Sequence, residues 1–259
     1  IRKNLIMNIP KSEHPRVVVI GGGFGGISIT RKLLNKPVQI VLIDKRNYHT
    51  FQPLLYQVST SGLQPDSIAF PLRKFLNKSN NGYFKMADVN EIDAENHIIK
   101  TNIGELSYDY LVIATGSKTN FFGNANIEKN AVWMKTVPQA LNLRSMILES
   151  LEQAAITEDK NKRKALLNFV IAGAGPTGVE LSGSIAELRN HIVKKDYKDF
   201  DADEIEIHLL EGASRVLPPM SEESSADAQK YLESMGVKIH LNTMVEDYVN
   251  DEVTTNTGK

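Results

Sequence analysis

Apolar and polar positions along this chain switch between two periods, and the switches mark its elements. Residues 16–20 are an unbroken β-branched run of buried-strand length, and 27–35 follow with helical spacing. Pro37 stops that helix, and 38–43 form a second apolar run that ends on Asp44. The same series returns later: a strand at 166–172, a helix at 179–192 and a strand at 205–210 that ends on Glu211. A helix at 222–235, Gly236 at its C-cap and a strand at 237–241 complete this second series. Between the two, 68–76 carries apolar residues at helical spacing and 83–89 is strand-like. Strands at 97–100 and 105–108, parted by turns, read as a meander, and 111–114 as a short buried strand. Residues 138–157 read as a long amphipathic helix, and 245–250 with 253–255 as a hairpin. Residues 121–130, with Gly and three Asn, read as a linker, and the charged run 158–164 as a solvated connection. Alternating strand and helix predicts an α/β fold with parallel sheets.

Both series carry the same turn chemistry. The first strand opens into Gly21, Gly22, Gly23, Phe24, Gly25 and Gly26, which supplies G-x-G-x-x-G at 21, 23 and 26, with Asp44 ending the next strand. The first glycine permits the tight turn, the second lets the backbone approach a pyrophosphate, and the third lets helix and strand pack closely. Phosphates then meet free N–H groups at the positive end of a helix, and the acid accepts from a ribose hydroxyl. The second copy is Gly173, Ala174, Gly175, Pro176, Thr177 and Gly178, with Glu211 as its acid. Its longer spacing follows from the polar insertion at 194–203. A carboxylate there suits the free 2′-hydroxyl of NADH over NADPH, a preference that nearby Arg215 softens. Val89 ends a strand where its backbone can run along an adenine edge. Thr115 and Gly116 end another with small residues that allow close backbone approach. Glu180, two positions after the last glycine, reads equally as a carboxylate favoured by the helix dipole and as a group facing the cleft. Residues 45–58 have no clean period and read as a loop leading into the next helix, with Pro53 to Tyr56 offering apolar surface for a flat ring.

Composition narrows the chemistry. At 259 residues the chain exceeds a usual single domain, and the repeated fingerprint makes two the expectation. A net charge of -1 provides no basic field for nucleic acid. No apolar run reaches the roughly 18 residues that cross a bilayer, and no signal peptide is evident, so a cytosolic or peripheral protein is expected. Zero Cys excludes disulfides, thiolate metal sites and thiol redox centres, so redox chemistry would run on a bound organic cofactor. The six His show no i, i+4 pairing, and no metal site is expected. Residues 1–15 are mixed and polar and read as a flexible lead-in.

Two dinucleotide sites in one chain bring two different dinucleotides together, and the economical chemistry is hydride transfer from a nicotinamide to a flavin. Such a transfer needs nicotinamide C4 at near-attack distance from flavin N5. The chain resembles the type II NADH:quinone oxidoreductases, single-subunit, non-proton-pumping flavoenzymes of the two-dinucleotide-binding-domain flavoprotein superfamily. The matching segments are 17–26, 42–49, 51–58, 111–116 and 172–181, of which 47–58 discriminates, since the glycine motifs are shared among all relatives. Disulfide reductases and sulfide:quinone oxidoreductases require cysteines, and this chain has none.

The resemblance implies two Rossmann-like domains, the NADH domain inserted in the FAD domain, with a β-meander in each. Residues 16–125 would form the N-terminal part of the FAD domain and 126–259 the NADH domain. FAD would be held through 22–26, Asp44, Lys45, His49 and Val89, and NADH through 173–178 and Glu211. Glu180 matches the family's glutamate beside the nicotinamide and quinone face, and 52–56 resembles the segment lining the flavin pocket towards quinone. The family's chain returns to the FAD domain and ends in an amphipathic membrane anchor, so the likeness implies a fragment of a longer protein whose FAD domain lacks its C-terminal part. It further implies a quinone substrate, a peripheral position on the cytoplasmic face of the membrane and a homodimer. Two rivals remain: a flavoprotein reductase of a ferredoxin- or rubredoxin-type acceptor, and a non-catalytic FAD/NADH sensor.

Overall fold

The first series folds as β1 (Arg16–Ile20), α1 (Phe24–Leu33) and β2 (Gln39–Asp44), followed by β3 (Tyr48–Thr50), α2 (Leu55–Ser59), β4 (Ala69–Pro71), α3 (Leu72–Leu76) and β5 (Gly82–Met86). A meander of β6 (Val89–Asp93), β7 (Ile98–Thr101) and β8 (Gly104–Ser107) leads to β9 (Tyr110–Ile113). The computed structural model describes residues 7–77 and 79–258. By contacts the chain divides into two units, Ile1–Phe51 with Asp66–Lys118 and Gln52–Pro65 with Thr119–Lys259.

In the first unit β5-β2-β1-β9 form a parallel sheet with Val18 opposite Val41 and Leu111. Because both faces of the central strands are covered, 17–20 and 40–43 are apolar at every position rather than alternately. Val19, Ile40 and Leu42 face Ile27 of α1 and Leu72 and Leu76 of α3. Val18, Val41 and Ile43 face Ile99 and Leu106 of the meander, joined by Met7. Met7 is buried, and its N–H donates to Glu105 O at 3.2 Å. The expected flexible lead-in is therefore corrected from Met7 onward, where an apolar side chain anchors it; residues 1–6 lie outside the described residues.

The second unit runs α4 (Ala125–Asn130), α5 (Val137–Ile156), α6 (Lys160–Leu166), β10 (Asn168–Ala172), α7 (Pro176–Leu188), a π-helical turn (Arg189–Val193), α8 (Lys194–Asp196), β11 (Glu206–Leu210), α9 (Glu222–Ser234), β12 (Lys238–His240), β13 (Val245–Val249) and β14 (Glu252–Thr255). Strands β10-β11-β12 form a parallel sheet, and Ile171, Ile207 and Leu209 pack in one cluster with Ile147 and Leu151 of α5, Ile185 of α7 and Leu232 of α9. On β11 and β12, Glu206 holds Lys238 (2.9 Å) and His208 (3.1 Å), and His208 Nδ1 lies 3.0 Å from His240 Nε2. Counting back from the acid that ends each strand, His208 stands where β2 has Val41. α2 packs on α5 and α7 within this unit.

Several segments differ from expectation. Residues 45–58, read as a loop, hold β3 and most of α2, and Leu166, read as the start of a strand, ends α6, so that β10 begins at Asn168. Residues 121–130 contain α4, capped by Asn124, whose Oδ1 accepts from Ile127 N–H at 2.9 Å. The charged run holds most of α6, capped by Asp159. Residues 69–71 pair antiparallel with β3 instead of continuing a helix, and α3 begins only after Pro71.

Candidate dinucleotide sites

In the first unit the chain leaves β1 through Gly21, whose φ of 105° lies in the left-handed region and whose N–H donates to Ile43 O at 2.7 Å. A Cβ at Gly21 would stand 2.3 Å from Ala114 O, so the turn rests on the backbone ahead of Thr115 and Gly116. A Cβ on Gly26 would stand 1.7 Å from Gly21 O, which is the close helix–strand approach expected of a third glycine. Gly23 caps α1 with an extended backbone and no side-chain bond, and its Cβ position has nothing within 4 Å. The first intrahelical bond runs from Ile27 N–H to Gly23 O at 2.9 Å, leaving Phe24, Gly25 and Gly26 N–H without an intrahelical acceptor.

Asp44 is fixed at both oxygens: Oδ2 accepts from Gly22 N–H at 2.6 Å and Oδ1 from Arg46 N–H at 2.7 Å. Each retains acceptor capacity for a hydroxyl. His49 Nδ1 lies 2.9 Å from Gly22 O. A carbonyl only accepts, so Nδ1 carries the proton. Phe24 meets His49 and Phe51 edge-on, with centroids 5.1 and 5.5 Å away. Lys45 is exposed, and Val89 pairs with Thr101 beside a β-bulge.

The second unit repeats this arrangement. Gly173 has φ 97° and donates to Leu210 O at 2.7 Å, while a Cβ on Gly178 would lie 1.9 Å from Gly173 O. Gly175 caps α7 with open space at its Cβ position, Pro176 takes the first helical position, and Val179 N–H bonds Gly175 O at 3.0 Å. Thr177 and Gly178 N–H are left without intrahelical acceptors. Glu211 Oε2 accepts from Ala174 N–H at 2.7 Å, and Oε1 from Ala213 N–H at 2.8 Å. Arg215 Nη2 donates to Pro218 O at 2.8 Å, and its Nη1 is buried with no acceptor among the described residues. Both cradles fit a dinucleotide by the same test: a Cβ at Gly23 or at Gly175 would stand in open space, with nothing within 4 Å, beside the free N–H groups.

Burial raises the Glu180 carboxyl above its ordinary value of 4.5. Ser184, one turn further along α7, has its hydroxyl 2.6 Å from that of Thr60, just after α2. Periodicity could not show this pairing, because Thr60 is short, polar and in a segment without a period.

A family model described as pyridine nucleotide-disulphide oxidoreductase matches residues 15–259. The chain belongs to that family. The family's name refers to disulfide chemistry, for which this chain has no thiol. Among curated proteins, type II NADH:quinone oxidoreductase Ndh of Mycobacterium tuberculosis is 39% identical over 249 residues, which cover 95% of this chain and 54% of that protein. The external alternative NADH-ubiquinone oxidoreductase of Yarrowia lipolytica is 29% identical over 242 residues, 89% of this chain and 41% of that protein. Among solved structures, NDH2 from Plasmodium falciparum in complex with NADH matches with a TM-score of 0.87 at 28% identity, over 95% of this chain and 52% of that one. The chain thus spans about half the length of the curated relatives it matches. The resemblance read from the motifs is borne out by these relatives, and the mixed α/β fold by the model and the solved structure.

Proposed function

We propose that this chain supplies the two dinucleotide-binding units of a non-proton-pumping NADH:quinone oxidoreductase, FAD on the first and NADH on the second. The observation that carries the reading is the repeated clamp. In each copy a strand-end carboxylate binds two backbone N–H groups beside an open glycine at a helix N-terminus. When bound, FAD supplies hydride acceptance from NADH and onward transfer of two electrons to a quinone.

The chain's own residues bind and orient. N–H groups of Phe24, Gly25 and Gly26 take one diphosphate at the positive end of α1, and those of Thr177 and Gly178 take the other. Asp44 and Glu211 accept from ribose hydroxyls, and Glu211 repels a 2′-phosphate. Lys45, His49 and Val89 serve the adenosine side of FAD, with His49 held by Gly22 O, and Thr115 and Gly116 border the same turn. Quinone reduction consumes protons, and burial that raises the Glu180 carboxyl suits it to hold one at its oxygen. The relatives' names support quinone as acceptor, and a quinone substrate supports a peripheral place on the cytoplasmic face of a membrane.

The full-length enzyme, assayed with NADH, is expected to reduce a soluble quinone faster than a small iron–sulfur protein. Preference for the iron–sulfur protein would establish the rival reductase. A bound flavin left unbleached by NADH under anaerobic conditions would establish a sensor.

A further inference from the structure

Residues 52–65 lie along the chain between two stretches of the first unit, yet by contacts they belong to the second, where α2 packs on α5 and α7. Leu55 and Val58 of α2 are buried, and so are the two hydroxyls that end it, Ser59 at 0% and Thr60 at 7% exposure. Both donate to Tyr56 O, at 2.7 and 3.0 Å. There the likeness ends. The Ser59 hydroxyl stays within α2, whereas Thr60 Oγ1 also lies 2.6 Å from Ser184 Oγ of α7. A carbonyl only accepts and a hydroxyl has one proton, so Thr60, donating to Tyr56 O, accepts from Ser184.

Helical geometry puts Ser184 on the same face of α7 as Glu180, one turn away. Ile185 and Ala186 lie on another face, in the cluster around the second sheet, so the face of Ser184 is the one turned to the end of α2. The Glu180 carboxyl is raised by burial, with no charge or hydrogen bond contributing. A carboxyl without such a partner takes its position from the helix that carries it, and a roll of α7 about its axis would move it. The N–H groups that open α7 point along that axis and would move little in the same roll. We propose that Thr60 and Ser184 are positioning residues for quinone reduction: the bond between their hydroxyls fixes the rotation of α7 and so aims Glu180. The proposal rests on the reading of Glu180 as the holder of a proton in that step.

The test takes the full-length holoenzyme and follows its two half-reactions by stopped-flow flavin absorbance. Thr60→Val, which removes the hydroxyl and keeps the shape, should slow reoxidation of the flavin by a soluble quinone about tenfold, part of the roughly 10²–10⁴-fold that positioned proton transfer supplies. Reduction of the flavin by NADH should stay at the wild-type rate. Ser184→Ala and the double variant should match Thr60→Val, since all three lack the same bond, and Thr60→Ser should restore the wild-type rate. Ser59→Ala, which removes a bond inside α2, should leave reoxidation unchanged. A second measurement needs no turnover. At pH 7 Glu180→Gln should raise the urea midpoint, because it relieves a buried charge, and in Thr60→Val that gain should fall to about half or less. Circular dichroism melts establish that each variant folds. Equal slowing of both half-reactions, Thr60→Ser as slow as Thr60→Val, slowing by Ser59→Ala, or an undiminished gain from Glu180→Gln would overturn the proposal. Wild-type reoxidation in Glu180→Gln would strike the proton-holding reading itself, and the urea midpoints would still decide whether the hydroxyl bond positions that side chain.

Discussion

Gly26 and Gly23 lie three residues apart in one motif, yet the structure gives them opposite duties, so paired alanine substitutions separate folding from binding. At Gly26 the added methyl would sit 1.7 Å from Gly21 O. Real Cβ contacts are not closer than 3.0 Å, so α1 must move off β1 by more than about 1 Å, disturbing buried Val19 and Ile27. Both clashing groups are backbone, and neither can rotate away. The cost should reach the upper part of the ~1–3 kcal/mol found for overpacking. At Gly23 the methyl meets nothing within 4 Å, and φ -76° with ψ -168° is ordinary extended backbone. Losing a glycine N-cap and stiffening the unfolded chain act in opposite directions, so stability should change by less than about 1 kcal/mol. The methyl nevertheless stands in the open space that the proposed function gives to a diphosphate. Urea unfolding followed by far-UV circular dichroism should show Gly26→Ala with a midpoint lower by about 1.5 M, the shift that ~3 kcal/mol gives at a slope of about 2 kcal/mol/M. Gly23→Ala should keep its midpoint and lose at least about tenfold in FAD affinity, or ~1.4 kcal/mol, read by quenching of flavin fluorescence. Wild-type FAD affinity in Gly23→Ala, or wild-type stability in Gly26→Ala, would refute the reasoning. The second unit offers a replicate with its own reporter, because Trp133, the chain's single tryptophan, packs on Phe121 there.

Three further outcomes follow from the same geometry. Asp44→Asn should destabilise the first unit by about 1–3 kcal/mol, since an amide NH₂ must face either Gly22 or Arg46 N–H; an unchanged urea midpoint would show that the clamp carries no stability. Glu211→Arg should weaken NADH and favour NADPH in equilibrium titrations, and an unaltered ratio of the two affinities would mean that the ribose lies elsewhere. The Glu180 carboxyl is raised by burial, so its contribution to stability is fully present below the unfolded value and is lost as pH rises through the folded one. Glu180→Gln should therefore match wild type in acid and gain on it above about pH 4.5, and parallel stability–pH curves would contradict the burial.

The parts of the fold readable in sequence are those whose apolar pattern reports burial directly. β1, β2 and β10 are mainly apolar runs and β11 alternates buried Ile207 and Leu209 with Glu206 and His208; turns with strict backbone needs follow β1 and β10, and the glycine spacing implied the acid after each. Elements held by polar contacts left no such trace. α4 is fastened to β13 by Asn124 Nδ2 to Glu246 O at 2.6 Å and by Asn126 Nδ2 to Asp247 at 3.1 Å, so its asparagines resembled a linker. α6 starts on Asp159, which accepts from Asn161 and Lys162 N–H, and its charges hid it. Of the candidate site, the clamp residues were legible one by one, whereas the backbone partners Arg46 and Ala213 were not, because any residue type can donate an N–H.

Glu211, proposed above to accept from the ribose of NADH, also holds the N–H groups of Ala174 and Ala213, and under that reading the pairing limits a change of reductant. Exchanging the acid for a residue that welcomes an extra phosphate strips Ala174 and Ala213 of their acceptor, so the gain in selectivity arrives with a loosened turn. Descendants that switch to NADPH should thus carry a compensating change nearby, a new oxygen set against those two amides, and the order of the two steps is constrained: the repair comes first or together with the exchange.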